Sequence, residues 1–244
     1  MKYIETLQDK SGARKLLASE RGDVLSHALV ALVGTPVDAE LLTRLKELLR
    51  AERYFLRFNA ARVMAADPSE AYVREKTSAI IEAIQRVEQR PDAGHRFPGF
   101  LAYGTIADHA YFRYIDALAK MKGAALYLRQ ASRRVGGKAC WCVLMARARR
   151  GDASVKKRMY AIIKDPSAGL LRAAAVRSLK RISTPEDLPF LKNLAETDSL
   201  QVPAPKGCHP DPATGRRVEK IYPVRIEAEL AVRYIEKKRS NENK

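Results

Sequence analysis

Basic side chains dominate the middle of this 244-residue sequence, and they are the residues with the clearest capacity for binding chemistry. Residues 120–181 contain 17 Lys and Arg but only two acids, Asp152 and Asp165, and the whole chain has a formal net charge of +17. Most solvated helix faces mix the two signs, because like charges at helical spacing repel each other by about 0.2–0.5 kcal/mol per pair. This local excess predicts a surface that binds an anionic partner.

The segment LLRAAAVRSLKRIS (170–183) shows how such cations would be presented. A helical wheel gathers Arg177, Lys180 and Arg181 on one side. The opposite side carries the apolar residues Leu171, Ala175, Leu179 and Ile182. One side of this helix is therefore predicted to pack against other helices, and the other side to face an anion.

Two upstream segments, 124–135 and 138–150, repeat this arrangement of clustered arginines. If consecutive helices of this kind lie side by side, their cations form a basic stripe. The predicted anion- or partner-binding residues are Arg129, Arg133, Arg134, Arg147, Arg149, Arg150, Arg177, Lys180 and Arg181.

Catalytic and metal-binding constellations have little support in the sequence. Asp108-His109 could serve as an acid and base, but Asp108 also suits the N-cap of a helix. Cys208 and His209 could donate two metal ligands, whereas a structural zinc needs four at recognised spacings. Nucleophile elbows, P-loops, dinucleotide fingerprints and kinase motifs do not occur. We predict a protein that is not an enzyme and that has no cofactor and no metal.

The elements that must position these cations are predicted to be helices throughout. Leucines recur at helical spacing in 38–49, with Asp38 as the N-cap, and a longer helix is predicted over 69–89. Thr184 and Pro185 suit the start of another helix. Convincing alternation of apolar and polar residues is rare, so strands should be rare. The predicted fold class is all-α.

The sequence also contains an internal repeat. Three segments share an aliphatic-Arg pair, an Ala three residues after that Arg, and an aliphatic residue or Met seven after it: 56–64, 171–179 and 224–232. A shorter amphipathic segment precedes each of them: 38–50, 153–164 and 185–196. The last two of these shorter segments end at Asp165 and Asp198. The repeated unit is therefore a pair of helices.

This pattern resembles HEAT repeats, especially the short bacterial kind that also occurs in phycobilisome lyase subunits. The resemblance implies a right-handed α-solenoid of about five to six helical pairs, in which the stack supplies a core that no single pair can form. It also implies a structural ladder in which the repeat arginines pair with the loop aspartates. The residues of this predicted ladder are Arg57, Arg172, Arg225, Asp165 and Asp198.

We predict a single solenoid domain over 1–244 with two interruptions. Residues 90–107 should form an irregular connection, and 199–222 a loop inserted within the last repeat, longer than ordinary helix connections. The tail 237–244 is expected to be frayed.

The predicted function is a non-catalytic interaction scaffold that binds an acidic protein partner through the basic region 120–181. The alternative is binding of the nucleic-acid phosphate backbone in the concave groove, without sequence preference. HEAT-like glycosylases use aromatic and acidic residues, but Trp141 has no adjacent acid and is expected in the core. Bilin lyase activity has no residue to support it.

Apolar runs of membrane-spanning length are absent from the sequence. Three cysteines without framework spacing predict a cytoplasmic protein, although a removed signal peptide would leave the same N-terminus. The oligomeric state stays open.

Overall fold

The protein is all-helical in the computed structural model, which describes residues 10–18, 21–96, 104–204 and 218–242. The α-helices of these residues, α1 to α12, are Lys10–Leu16, Gly22–Ala31, Ala39–Leu48, Tyr54–Ala65, Val73–Gln85, Ile106–Lys120, Ala125–Arg134, Gly137–Arg149, Lys156–Lys164, Leu171–Leu179, Leu188–Thr197 and Pro223–Glu242. Short 3₁₀ turns occupy Val87–Gln89, Ala153–Val155, Pro166–Ala168 and Pro185–Asp187. The predicted all-α fold class is confirmed.

The chain divides into two compact units. Unit 1 comprises Met1–Ala93 and Ala110–Val143, and unit 2 comprises Gly94–His109 and Leu144–Lys244. Two of the three boundaries fall inside α6 and α8, and the third, at 93/94, falls in the irregular connection 90–107. The single domain over 1–244 stays a prediction.

Unit 1 is built from short helices that pack on their sequence neighbours and on the next helix but one. Helix α2 packs on α1 and α4, α4 packs on α3 and α5, and α7 packs on α5. The core between them is aliphatic and includes the fully buried Leu29, Leu45, Met64, Ile80 and Leu118. Burying an aliphatic side chain of this size contributes about 1.5–3 kcal/mol, so this core is the main source of stability.

An ion pair lies inside the core of unit 1. The Lys76 Nζ atom lies 2.5 Å from Asp67 Oδ2, and the two side chains are only 1% and 0% exposed. Asp67 also accepts hydrogen bonds from the backbone N–H and the hydroxyl of Ser69, both at 2.9 Å. Every charged and polar atom of the pair is therefore engaged, as a buried pair requires.

The same contacts correct the predicted start of α5. The helix predicted over 69–89 begins only at Val73, and Val87–Gln89 forms a separate 3₁₀ turn. Ser69 is held in a turn by Asp67, and Tyr72 adopts a left-handed conformation with φ 55°. A residue in that conformation cannot belong to a right-handed helix, so α5 starts at Val73, the residue after Tyr72.

Unit 2 contains two helix pairs. Helix α9 packs on α10, α11 packs on α12, and α10 also contacts α12. The residues Ala174 and Ala175 of α10 are buried, and their small side chains permit close approach of the neighbouring helices. The apolar side predicted for α10 is also buried, with Leu171, Ala175, Leu179 and Ile182 at 0–7% exposure.

Two of the three predicted helix caps are observed. Asp38 accepts a hydrogen bond from Leu41 N at 2.9 Å, and Thr184 forms a capping box with Asp187 ahead of α11. The third prediction was wrong, because Asp108 lies inside the first turn of α6 and is not its N-cap. Its carboxylate accepts from the N–H and hydroxyl of Thr105, which precedes the helix. Asp108 thus acts as the third-position acid of a cap that begins at Thr105.

The irregular segments lie partly outside the described residues. In the 90–107 connection, Arg96 pairs with Thr105 in an isolated antiparallel bridge, and residues 97–103 are not described. Within the 199–222 insertion, β1 (Val202–Pro203) pairs antiparallel with β2 (Lys220–Ile221), and 205–217 are not described. Residues 237–242 of the tail expected to be frayed continue α12, and 243–244 are not described.

Candidate functional site

The predicted partner-binding residues are divided between the two units. Arg129, Arg133 and Arg134 belong to α7 in unit 1. The six in unit 2 are Arg147, Arg149, Arg150, Arg177, Lys180 and Arg181. The basic region therefore comprises two sets of cations, which differ in what they contact.

Helix α7 presents its cations on an exposed face. It buries little besides Leu128 and Ser132, and the Ser132 hydroxyl donates to the Arg129 carbonyl at 2.8 Å. Leu126, Arg129 and Arg133 follow each other at spacings of three and four residues, so they share one side of the helix. All three are exposed, and the exposed fraction of Leu126 reaches 58%. We call these residues, with Arg134 beside them, the α7 surface.

No acid among the described residues pairs with Arg133 or Arg134. Both side chains are exposed, and neither has an ion pair or a side-chain hydrogen bond within the described ranges 10–18, 21–96, 104–204 and 218–242. Their place in the last turn of α7 is favourable for the helix dipole, which contributes about 0.3–1 kcal/mol. The interaction with the helix dipole depends only on the position of the charges along the helix. It does not occupy the guanidinium N–H donors, which can still bind a partner.

In unit 2, by contrast, at least four of the six cations contact other parts of the fold among the described residues. Arg147 donates to Asp152 Oδ2 at 2.8 and 3.0 Å, and Arg149 donates to the Ser178 hydroxyl at 2.9 Å. Burial disfavours the ionised Asp152, but hydrogen bonds from Ser154 and Arg147 outweigh that effect and lower its pKa. These arginines tie α8 to the following turn and to α10.

The other two engaged cations contact α12. Arg177 forms an ion pair with Glu227, which is buried, and its Nε lies 3.0 Å from Oε1. The Lys180 Nζ atom lies 5.3 Å from the centroid of the Tyr234 ring, within cation–π range. Arg177 and Lys180 are thus connections between α10 and the last helix, although the Arg177 side chain is itself exposed, as are those of Arg150 and Arg181.

Sequence reasoning missed these partners because they lie far along the chain. In the described part of the chain, at least five acids outside residues 120–181 pair with bases inside that range: Glu70, Glu88, Asp187, Asp198 and Glu227. A charge count within a window cannot include them. The excess of +15 in that window therefore overstates the charge that the folded surface offers.

The repeat arginines lie where they fasten helix ends. Arg57 donates to both oxygens of Asp92 at 2.9 and 3.0 Å and to the Ala51 carbonyl at 3.0 Å. Arg172 similarly pairs with Asp198 and donates to the Ile163 carbonyl at 2.7 Å. In both cases one guanidinium joins a backbone carbonyl at or just after the end of the preceding helix to a carboxylate more than 25 residues downstream.

The other two members of the predicted ladder behave differently. Arg225 donates to the backbone carbonyl of Asp198 at 2.6 Å and stacks its guanidinium 4.3 Å from the Tyr222 ring centroid. Asp165 accepts from the N–H and hydroxyl of Ser167, and these bonds lower its pKa. The positive charge of the nearby Arg172 lowers the pKa of Asp165 further, although Asp165 forms no ion pair with Arg172 in the described structure.

The remaining candidates supply no chemistry in the part of the chain that the structure describes. Cys208, His209 and Asp211 lie outside the described residues. Elsewhere, within the described ranges, no three His, Cys, Asp or Glu side chains cluster in a way that could hold a metal ion. Trp141 is half-buried beside the buried Cys140 and Cys142. Among the described helices, none combines the length and hydrophobicity needed to cross a bilayer.

No match was found. Neither a protein-family model, nor a curated protein, nor a solved structure is similar to this chain. The resemblance to HEAT repeats therefore depends on the residues that carry it, the three aliphatic-Arg segments and the helices before them.

Proposed function

We propose that this protein is a HEAT-like, right-handed α-solenoid of about five to six helical pairs that acts as a non-catalytic interaction scaffold for an acidic protein partner. Two observations support this architecture. Helices pack in pairs within each unit, and Arg57 and Arg172 form ion pairs with Asp92 and Asp198. The α7 surface is the part of the basic region that binds the partner.

The observation that carries this proposal is the pairing of unengaged cations with an exposed apolar side chain on one helix face. Arg133 and Arg134 are exposed and without ion pairs in the described residues, and Leu126 is 58% exposed beside them. A protein partner with carboxylates and an apolar side chain would satisfy both. Arginine is also a common anchor of protein interfaces.

The alternative is sequence-independent binding of nucleic acid. The net charge of +17 supports it, because neutralising phosphates with Lys and Arg releases counterions and strengthens binding. Nucleic-acid binding gives Leu126 no role, however, since contact with phosphates buries no apolar surface. Single-stranded nucleic acid would favour exposed aromatic rings for stacking, and the exposed large apolar side chain of this face is a leucine.

Peptide binding tests the proposal. Two labelled peptides with equal numbers of glutamates, one also containing leucines, would be titrated by fluorescence anisotropy beside single- and double-stranded DNA and RNA. We expect the peptide with leucines to bind more tightly, because Leu126 adds apolar contact. Arg133→Glu/Arg134→Glu should weaken binding of both peptides by about tenfold or more, and Leu126→Gln should abolish only the advantage of the leucines.

A matched control separates this surface from general charge. Lys237→Glu/Arg239→Glu changes the net charge equally on exposed residues of α12 and should leave peptide affinity within about twofold of the parent. Equal losses in the two double variants, or no peptide binding, would exclude the α7 surface as a protein site. Preference for nucleic acid, with a salt slope of about five or more phosphates that Arg133→Glu/Arg134→Glu reduces, would establish the alternative.

A further inference from the structure

A recess between α3 and α5 of unit 1 concentrates positive charge away from the α7 surface. Its volume is about 250 Å³, and its floor includes the buried apolar side chains of Leu49 and Ala83. The charged residues that line it are Lys46, Arg50, Arg74, Glu75, Glu82 and Arg86. Four cations thus oppose two carboxylates in one small concave site, with a net charge of +2.

Two of these guanidinium groups converge on a single oxygen. Nη2 of Arg50 and Nη2 of Arg86 lie 3.7 and 3.8 Å from the same atom, Oε2 of Glu82. Both distances exceed a hydrogen bond, so neither contact is tight. One carboxylate therefore faces two cations whose N–H donors still have room for an acceptor between them.

Lys46 and Arg74, the other two cations of the recess, are not paired with any acid in the described residues. Neither Lys46 nor Arg74 forms an ion pair or a side-chain hydrogen bond among the residues that the structure describes. Arg74 and Arg86 are twelve residues apart on the α5 side, which corresponds to about 18 Å along a helix axis. The recess thus offers cations near both of its ends, with Ser78 and its hydroxyl between them.

Positive charge also lies behind the recess. Arg90 donates to the carbonyls of Leu49 and Arg50, at 3.4 and 2.9 Å, and so occupies the C-terminal end of α3. Burial and the neighbouring charges of Arg57 and Arg86 lower the pKa of Arg90. That crowding of guanidinium groups raises the electrostatic potential at the Arg50–Arg86 end.

We propose that this recess binds a small phosphate-bearing molecule, with a phosphate group between Arg50 and Arg86. Guanidinium groups recognise phosphate through paired, charge-assisted hydrogen bonds, and a doubly charged anion is the ligand that a site with net charge +2 neutralises. Lys46 and Arg74 would bind a second anionic group, so a ligand with several phosphates should bind more tightly than one with a single phosphate. This inference does not depend on the proposed function, because no α7 residue lines the recess.

Calorimetric titration with inorganic phosphate, pyrophosphate and tripolyphosphate, at constant ionic strength, tests the site. We expect the affinity to rise in that order. Arg50→Gln/Arg86→Gln should weaken tripolyphosphate binding by about tenfold or more, because both donors at one end are lost. Glu82→Gln should strengthen it by about threefold, because the competing carboxylate charge is removed while the side-chain shape is kept.

Arg62→Gln/Arg113→Gln is the matched control, since it removes the same charge from exposed residues of the same unit that belong neither to this recess nor to the α7 surface. It should change the affinity by less than about twofold. Circular dichroism would establish that each variant is folded. Equal weakening by the two double variants would attribute binding to the overall charge and overturn the proposal. Unchanged binding in Arg50→Gln/Arg86→Gln, weaker binding in Glu82→Gln, or no heat with any of the three anions would overturn it as well.

Discussion

Replacing Asp67 by Ala is expected to lower the free energy of unfolding by about 3–5 kcal/mol, because it leaves a buried ammonium without its counter-charge. Lys76 is 1% exposed, and Asp67 is its ion-pair partner in the described structure. Water cannot reach the ammonium without opening the end of α5. Urea unfolding followed by far-UV circular dichroism would measure the loss.

Two control variants make this expectation specific to an unpaired buried charge. Asp67→Leu/Lys76→Met removes both partners and should recover most of the loss, since an apolar replacement of a buried pair is often close to neutral. Asp23→Ala removes a carboxylate whose pair with Arg21 is exposed, and the urea midpoint should barely move. A loss below about 1 kcal/mol for Asp67→Ala would show that Lys76 reaches solvent or another acceptor.

The same pair predicts a pH dependence. Burial raises the pKa of Asp67, but hydrogen bonds from Lys76 and Ser69 outweigh burial and bring it below its ordinary value. A carboxyl with a lower pKa in the folded state contributes stability above its unfolded pKa, about 3.9, and loses that contribution as the pH falls through the folded value. Below about pH 4, the parent should therefore lose stability relative to Asp67→Leu/Lys76→Met.

Sequence periodicity was sufficient for most of the helices because their apolar positions repeat at helical spacing. It located α3 to within a residue at each end, since Asp38 and the leucines of that helix are local signals. It placed the start of α5 four residues too early, at Ser69. The contact that holds Ser69 outside the helix is made by Asp67, whose burial depends on the packing of the whole unit.

The candidate binding surface was harder to predict, for a related reason. Spacing identified which cations share a helix face, but it could not show which of them other elements neutralise. Glu227 lies 50 residues from Arg177 and meets it only because α12 packs on α10. Arg133 and Arg134 look no different in the sequence, yet no described helix places an acid against them. The recess between α3 and α5 was missed because its cations are scattered among acids in the sequence.

Arg57→Lys is expected to destabilise the protein by about 2–4 kcal/mol, nearly as much as Arg57→Ala, although it preserves the charge. Arg57 is 3% exposed and donates to Asp92 through two bonds. It also donates to the backbone carbonyls of Ala51 and Glu52, in the connection between α3 and α4. A planar guanidinium can satisfy these four acceptors at once, whereas an ammonium has three donors in a tetrahedral arrangement.

The cost arises because the acceptors that lysine can leave unsatisfied include the carbonyl of the half-buried Ala51 and the half-buried carboxylate of Asp92. Each such group costs about 1–3 kcal/mol when it loses its partner, and more when it is charged. Arg62→Lys is the matched control, since Arg62 lies on the same helix and is exposed, and it should change stability by less than about 0.5 kcal/mol. Urea unfolding of Arg57→Lys, Arg57→Ala and Arg62→Lys at neutral pH would provide the comparison. If Arg57→Lys fell within about 1 kcal/mol of the parent, charge rather than the planar donor geometry would be what joins these loops.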